Sequence, residues 1–318
     1  MSAFALIAAG LVALLLGAEL VVRGGSELAG RLGVSPMIIG LTVVSIGTSA
    51  PELAIGVEAA LDGVGELAVG NVAGTNVVNL LLILGLSALL RPLPLPAQAM
   101  RLDLPATAVA AVVLLLMALD GTLSHLDGVF LLLVGLGYTV VIVQVARRGR
   151  DGARRRGSPS GGSSVLVATL AAVALSTGIG SVVVGADWLV HGATGVARQL
   201  GVSDAVLGLT VVAVGTSAPE LVTTLVATFR NHRDLAVGNL VGSSFYNIAL
   251  ILGTTAVAAP GGLRLPAPLV RVDLSVMTGV VLACMPVFLR GRRLTRVEGA
   301  LLVLAYSGYL AYLVLART

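Results

Sequence analysis

The fourteen-residue stretch Gly40-Leu-Thr-Val-Val-Ser-Ile-Gly-Thr-Ser-Ala-Pro-Glu-Leu53 occurs again 168 residues later, as Gly208-Leu-Thr-Val-Val-Ala-Val-Gly-Thr-Ser-Ala-Pro-Glu-Leu221. Twelve of the fourteen positions are identical. The same shift aligns Gly70-Asn71 with Gly238-Asn239 and Asn79 with Asn247. Similarity at one fixed shift is the signature of an internal repeat. We therefore predict that the chain consists of two related halves.

The composition is typical of a membrane protein. Of 318 residues, 57% are hydrophobic and only 11% are charged, whereas a soluble domain carries roughly 25% charged residues. Forty glycines suit transmembrane helices that pack closely. The single cysteine, Cys284, excludes an intramolecular disulfide and any cysteine-based metal cluster. The net charge of +4 gives no reason to expect nucleic acid as a partner, because the basic residues lie mostly in short loops between apolar runs.

Ten apolar runs are long enough, or nearly so, to cross a bilayer, which takes about 20 residues per helix. We expect residues 1–147 to form a first five-helix repeat, 148–164 a basic, Ser/Gly-rich cytoplasmic linker, and 165–318 a second five-helix repeat. The N-terminal run continues directly into a second span, so we interpret it as a membrane helix rather than a signal peptide. The runs lie near 3–22, 35–58, 67–90, 103–119, 128–146, 165–190, 204–228, 236–259, 272–289 and 297–315.

An odd number of spans per half predicts that the second half is inserted upside down relative to the first. The arginines agree with this arrangement, because sixteen of the twenty lie in alternate loops, those after spans one, three, five, seven and nine. Arginine-rich loops stay on the cytoplasmic side. The sequence thus predicts an all-α, multi-pass protein of the plasma membrane, with two inverted repeats and both termini outside.

Each half carries a stripe of oxygen-bearing side chains before its glutamate. The spacing i, i+3, i+4, i+7 places such residues on one face of a helix. A second stripe, at i, i+4, i+8, follows on the next helix. The first stripe consists of Ser45, Thr48, Ser49 and Glu52 and, in the second half, of Ala213, Thr216, Ser217 and Glu220; the second consists of Asn71, Thr75 and Asn79 and of Asn239, Ser243 and Asn247.

A proline precedes each glutamate and is expected to interrupt the helix. Pro51 and Pro219 lack an N–H, and each ring clashes with the carbonyl four residues back. At membrane depth a freed carbonyl is tolerated only beside protein, water or ions. The resulting set of carboxylates, hydroxyls, amides and carbonyls suits hard cations such as Ca²⁺ and Na⁺, and the absence of His and Cys disfavours zinc or copper.

Two facing carboxylates roughly 6 Å apart repel by about 3 kcal/mol at an effective dielectric near 20. An empty, doubly charged site should therefore resist burial, whereas a site loaded with Ca²⁺, Na⁺ or protons can close. This difference favours exchange over leak. In the structural alternative, the glutamates are tolerated in a helix interface and the polar stripes only join helices.

The motif Gly47-Thr-Ser-Ala-Pro-Glu52 with Gly70-Asn-Val-Ala-Gly-Thr-Asn-Val-Val-Asn79 resembles the first alpha repeat of the sodium/calcium exchanger family, within the calcium:cation antiporter superfamily. Gly215-Thr-Ser-Ala-Pro-Glu220 with Gly238-Asn-Leu-Val-Gly-Ser-Ser-Phe-Tyr-Asn247 resembles the second. The resemblance implies Na⁺/Ca²⁺ antiport by alternating access, in which the first and sixth helices slide against the other eight. It implies no enzymatic activity, no cofactor and no obligate protein partner.

The same resemblance implies where the ions bind. Ca²⁺ would lie between Glu52 and Glu220, with help from the carbonyls of Thr48 and Thr216. The Na⁺ sites would draw on Ser45, Ser49, Ser217, Thr75, Ser243, Asn79 and Asn247.

Three residues depart from the family pattern. Thr75 stands where Ser is usual, and Ser244 stands where Asn is usual. Asn247 occupies a position at which several relatives carry Asp, which changes the charge of the site and therefore bears on coupling stoichiometry. It also disfavours the potassium-dependent branch, which uses Asp in both repeats.

Three other functions are compatible with parts of the pattern. A Ca²⁺/H⁺ or Mn²⁺/H⁺ antiporter would place an acid in a Gly-Asn-Ala-x-Glu motif, but the runs that begin at Gly70 and Gly238 lack that Glu. A cation channel could use the same ligands, although two interrupted helices in inverted repeats favour a carrier. An intramembrane protease is disfavoured because the chain has no HExxH motif.

Overall fold

A computed structural model describes residues 2–155, 165–199, 213–290 and 293–317. These residues are almost entirely helical, as expected for a chain that must satisfy its backbone hydrogen bonds inside lipid. The helices are α1 (Ala3–Leu32), α2 (Pro36–Thr48), α3 (Ala50–Leu61), α4 (Gly65–Leu90), α5 (Ala99–Asp120), α6 (His125–Arg155), α7 (Val165–Gln199), α8 (Ala213–Thr216), α9 (Ala218–Phe229), α10 (Arg233–Ala258), α11 (Leu269–Leu274 continued by Ser275–Arg290) and α12 (Arg296–Arg317).

Within the described residues, seven helices are long and apolar enough to cross a membrane, or eight if the bent pair α2 and α3 forms one span. The protein is therefore a multi-pass membrane protein. Three helices extend well beyond their predicted ends: α1 continues to Leu32 instead of ending near residue 22, α6 to Arg155 instead of 146, and α7 to Gln199 instead of 190. In α1 the added turns carry i,i+4 ion pairs that support a helix beyond the apolar run, Arg23–Glu19 and Arg31–Glu27.

The first half of the predicted linker at 148–164 is helical, because α6 continues to Arg155. Arginine is a good helix former, so a basic segment need not end a helix. Residues 156–164 lie outside the described part of the chain. So do residues 200–212, which include the beginning of the second copy of the long motif.

Four two-residue strands join loops that are distant in sequence. The strands are β1 (Leu93–Pro94), β2 (Thr122–Leu123), β3 (Leu263–Arg264) and β4 (Arg293–Leu294). β1 pairs antiparallel with β4, and β2 pairs antiparallel with β3. Helix α5 connects β1 to β2, and α11 connects β3 to β4. These two equivalent helices of the two halves therefore run in opposite directions.

Helices α1 and α7 pack so closely that their backbones are in contact. Their glycines recur every seven residues, which places them on one face of each helix, and small residues there allow close approach. A Cβ added at Gly24 would lie 2.6 Å from the Leu175 amide nitrogen, and one at Gly178 would lie 2.7 Å from that of Val21. The interface glycines are Gly10, Gly17 and Gly24 on α1, and Gly178, Gly185 and Gly192 on α7.

Helices α4 and α10 form the centre of the bundle. In their apolar stretches, 78% and 94% of the residues are buried, against 22% to 44% for the other spans that cross as unbroken helices. Gly238 and Gly242 of α10 have no room for a side chain beside the backbone of α2 at Met37 and Leu41. The helices that carry the second polar stripes thus pack directly against the interrupted helices that carry the first.

The packing of α1 on α7 makes a testable prediction. Gly178→Val should lower the melting temperature in detergent, because overpacking costs about 1–3 kcal/mol and here the obstructing atoms are backbone. Gly180→Val is the matched control, since no atom lies within 4 Å of a Cβ at Gly180. Equal melting temperatures for the two variants would contradict the close packing.

Candidate cation site

Both interrupted helices break at the serine that precedes Ala-Pro-Glu. Between α2 and α3 the chain leaves the helical path at Ser49 and the axis bends by 42°. Between α8 and α9 it does so at Ser217, with nearly the same backbone angles. Pro51 and Pro219 occupy the first turn of the following helix, where the missing N–H is not needed. The repeated motif thus forms two equivalent breaks within the bundle.

Each break places one glutamate in the first turn of the helix that follows. Glu52 and Glu220 are both fully buried, and the hydroxyl of Ser49, three residues before Glu52, contacts the Glu220 carboxylate. No ion pair involving either glutamate is present among the described residues. Burying a carboxylate without a counter-ion is costly, so this pair requires a cation or protons.

Hydroxyl groups from both halves of the chain reach Glu220. Ser49 Oγ donates a hydrogen bond to Glu220 Oε1 at 3.1 Å, and Ser243 Oγ contacts the same oxygen at 3.5 Å. Ser243 Oγ also lies 3.4 Å from the carbonyl oxygen of Ser45. Side chains from α9 and α10 and the break after α2 therefore meet at one point.

A second contact between the halves involves Thr48. Its Oγ1 lies 3.3 Å from Asn239 Oδ1, and the amide nitrogen of Asn239 donates to Thr224 Oγ1 at 3.2 Å. The equivalent amide nitrogen of Asn71 has no partner, because Gly56 stands where the second half has Thr224. The two halves thus build similar but not identical surroundings for the break.

The other predicted site residues are also buried. Ser45 Oγ donates to the carbonyl of Leu41 in its own helix, at 2.6 Å. Asn79 lies in the π-helical turn Val78–Ile83, and Asn247 begins the equivalent turn Asn247–Leu252. Such turns are frequent at functional sites. Thr75, Thr216 and Ser217 are also buried.

Several buried polar atoms of the site have no hydrogen-bond partner from another residue. Such atoms are rare in native proteins and indicate a bound ion or water. The described residues contain no group of three or more His, Cys, Asp or Glu side chains that could hold a metal ion. The unpartnered atoms are both carboxylate oxygens of Glu52, Oε2 of Glu220, both amide atoms of Asn79, Oγ of Ser217 and Oδ1 of Asn247.

Sequence reasoning missed Asn76, although it lies within the quoted motif. Asn76 is fully buried and joins the two halves: its Nδ2 donates to the carbonyl of Ser244 at 3.2 Å, and its Oδ1 accepts from Asn247 Nδ2 at 3.4 Å. The departure at Ser244, the repeat mate of Asn76, was the signal that this position differs between the halves.

Sequence reasoning also missed a second pair of buried acids. Tyr138 donates to Asp103 at 2.8 Å, and Tyr309 lies 3.5 Å from Asp273. The signal was a further repeat at a shift of 170 residues, Arg101-Leu-Asp-Leu104 and Arg271-Val-Asp-Leu274. These acids connect neighbouring helices in each half.

Comparison with known proteins identifies the family. The family model described as sodium/calcium exchanger protein matches residues 2–144 and 170–315. The sodium/calcium exchanger MaX1 of Methanosarcina acetivorans is 32% identical, and the alignment covers 98% of both chains. A putative antiporter of Alkalimonas amylolytica, CaxA, is 35% identical over 94% of this chain and 95% of its own. The chain belongs to the sodium/calcium exchanger family.

Solved structures agree with this assignment. The chain resembles the structure of the sodium/calcium exchanger from Methanococcus jannaschii, with 28% identity, a TM-score of 0.83 and 97% of both chains covered. It also resembles the structure of the exchanger NCX_Mj soaked with Na⁺ and Ca²⁺, with a TM-score of 0.85. The family consists of membrane transporters, and the nearly all-helical fold of this chain agrees with that of the solved structures.

Replacing either glutamate should change how stability responds to ions. We expect Glu52→Gln and Glu220→Gln to melt without ions at a temperature equal to or above that of the unmodified protein, because each removes half of a repelling pair. Both should lose the rise in melting temperature on adding Ca²⁺. Glu66→Gln, which changes an exposed glutamate, is the control. A normal Ca²⁺-induced rise in either site variant would contradict the shared site.

Proposed function

We propose that this protein exchanges Na⁺ for Ca²⁺ across the plasma membrane by alternating access, with the ions bound between its two halves. The observation that carries the proposal is the pair Glu52 and Glu220, which are fully buried without a basic partner among the described residues, with the hydroxyls of Ser49 and Ser243 beside the Glu220 carboxylate. One Ca²⁺ neutralises the pair, and so do two Na⁺. The two ions can therefore compete for overlapping positions.

The ligand types support Ca²⁺ and Na⁺ as the transported ions. Carboxylates, hydroxyls and amide oxygens are the ligands that hard cations prefer. A proton-coupled site needs only the acids and gains nothing from the serines, threonines and asparagines that line this site. The relative MaX1 is a sodium/calcium exchanger, and NCX_Mj was soaked with Na⁺, Ca²⁺ and Sr²⁺. These names support the same ion pair for this chain.

The proposed architecture has ten membrane spans in two inverted five-helix repeats. Three observations support it: the repeated motif, the opposite directions of α5 and α11, and the antiparallel packing of α1 on α7. Inverted repeats with ion sites at interrupted helices are a common design of secondary transporters. In this proposal the close-packed pair α1 and α7 moves as one body against the other helices.

The principal alternative is a Ca²⁺/H⁺ or Mn²⁺/H⁺ antiporter, and a cation channel is more remote. The buried acid pair could be neutralised by protons as well as by Na⁺. The neutral oxygens around the acids, and the missing glutamate after Gly70-Asn71 and Gly238-Asn239, favour Na⁺. A channel conducts without an occluded state, so it would have no need for a buried acid pair that a bound cation neutralises.

Ion flux in reconstituted vesicles tests the coupling. In vesicles loaded with Na⁺, external Ca²⁺ should enter only while an outward Na⁺ gradient exists, and Glu52→Gln and Glu220→Gln should abolish this uptake. More than two Na⁺ per Ca²⁺ would make uptake sensitive to membrane potential. Uptake driven by an imposed pH gradient without Na⁺ would instead establish the proton-coupled alternative, and single-channel currents would establish a channel.

Cysteine labelling tests the orientation, which is expected to be N-out and C-out. In a Cys284→Ser background, Thr122→Cys in β2 should react with an impermeant maleimide in intact cells. Ser35→Cys, in the loop between α1 and α2, should react only after permeabilisation. Both positions are exposed. Labelling of Ser35→Cys from outside intact cells would refute the proposed orientation.

A further inference from the structure

The amide of Asn247, a predicted ligand, is held by a side chain that is not itself a predicted ligand, that of Asn76. The Asn247 amide can present either an oxygen or an NH₂ group to the site, and only the oxygen can bind a cation. We propose that Asn76 is a positioning residue that holds the Asn247 amide with its carbonyl oxygen facing the cations. This inference rests on the proposed function of the site and adds a residue to it.

The orientation of Asn76 follows from the acceptors around it. One end of its amide lies 3.2 Å from the carbonyl oxygen of Ser244 and 3.5 Å from the sulfur of Met277. Both atoms only accept hydrogen bonds here, so the end that faces them must be the NH₂ group, and both of its hydrogens are used. The other end of the Asn76 amide is then the oxygen.

The orientation of Asn247 follows from that of Asn76. The Asn76 oxygen lies 3.4 Å from the nearest amide atom of Asn247. An oxygen can only accept, so this atom must be the NH₂ group of Asn247, and its other end is the carbonyl oxygen. That oxygen is buried and has no partner. A backbone carbonyl at Ser244 thus determines, through two amides, that Asn247 presents an oxygen.

The equivalent asparagine in the first half, Asn79, is not held by another side chain in this way. Neither amide atom of Asn79 has a partner. The residue that corresponds to Asn76 in the second half is Ser244, and the Ser244 hydroxyl also has no partner. The site therefore combines one amide that is already oriented, on α10, with one on α4 that can turn. Orienting a neutral ligand in advance reduces the cost of ordering it when an ion binds.

The test replaces Asn76 by Ser, which copies the residue that the second half carries at the same place and is too short to hold Asn247. We expect Asn76→Ser to raise the half-saturating concentrations of Na⁺ and Ca²⁺ for uptake about fivefold, the size expected for one net hydrogen bond, while maximal uptake changes little. Ser87→Ala is the matched control: it removes a fully buried, unpartnered hydroxyl from the same helix as Asn76, so its ion dependence should be unchanged.

A double-mutant cycle separates positioning from a general structural role. A carboxylate presents an oxygen in either orientation, so Asn76→Ser should have little effect on half-saturation in an Asn247→Asp background. An equal rise in the half-saturating concentrations in both backgrounds, or no rise with native Asn247, would overturn the proposal. The melting temperature without ions checks that each variant folds. If Asn76→Ser does not fold, Asn76→Ala takes its place.

A binding measurement keeps this test independent of the coupling ion. Measuring the melting temperature in detergent while Na⁺ or Ca²⁺ alone is added reports the affinity for that ion without any gradient. If the unmodified protein binds both ions but its uptake follows protons, the proposed exchange fails and the Asn76 cycle can still be measured by melting. If uptake is Na⁺-coupled and Asn76→Ser binds both ions normally, only the positioning role fails.

Discussion

Two carboxylates must be kept in the middle of an apolar bundle without a basic partner among the described residues, and the surrounding structure is organised around this constraint. Glu52 and Glu220 are fully buried, and the Ser49 hydroxyl contacts the Glu220 carboxylate. An arginine beside them would neutralise the pair permanently and leave no reason for a cation to bind. The described chain instead surrounds the pair with neutral oxygens, which stabilise a mobile cation but cannot replace it.

This constraint accounts for the breaks in the two helices. A continuous helix uses all its carbonyls and offers a site only its side chains. Ending α2 at Thr48, just before Ser49, places the Ser49 hydroxyl beside the Glu220 carboxylate, and α8 ends in the same way at Thr216, just before Ser217. Irregular backbone of this kind is tolerated at membrane depth because it is enclosed by other helices, here above all by the deeply buried α10.

Glycine makes that enclosure possible. Gly238 and Gly242 allow α10 to touch the backbone of α2, which brings Asn239 and Ser243 within reach of Thr48 and the Glu220 carboxylate. The heptad glycines of α1 and α7 serve another purpose, since they join two long, lipid-facing helices to each other rather than to the centre. A bundle held partly by close backbone contact can rearrange as rigid pieces without losing a hydrophobic core.

The two halves of the site are not equivalent in detail, although they derive from one pattern. Thr224 satisfies the amide of Asn239, while Gly56 leaves Asn71 without that partner; Asn76 orients Asn247, while Ser244 leaves Asn79 free. The two halves therefore place different polar groups around their breaks.

The sequence by itself determined the membrane class, the two related halves, the breaks at Ala-Pro-Glu and the family, because these depend on composition, on a repeat at a fixed shift and on proline chemistry. The lengths of α1 and α7 and the helical course of α6 to Arg155 were not determined in this way, since a hydropathy pattern does not register a helix that continues beyond the lipid. Only the tertiary structure decided which polar residues meet. Ser49 reaches Glu220 across 171 positions of sequence, and Asn76 reaches Asn247 across the same separation. Which end of an amide faces a cation depends on the acceptors around its other end, and those acceptors come from the opposite half of the chain.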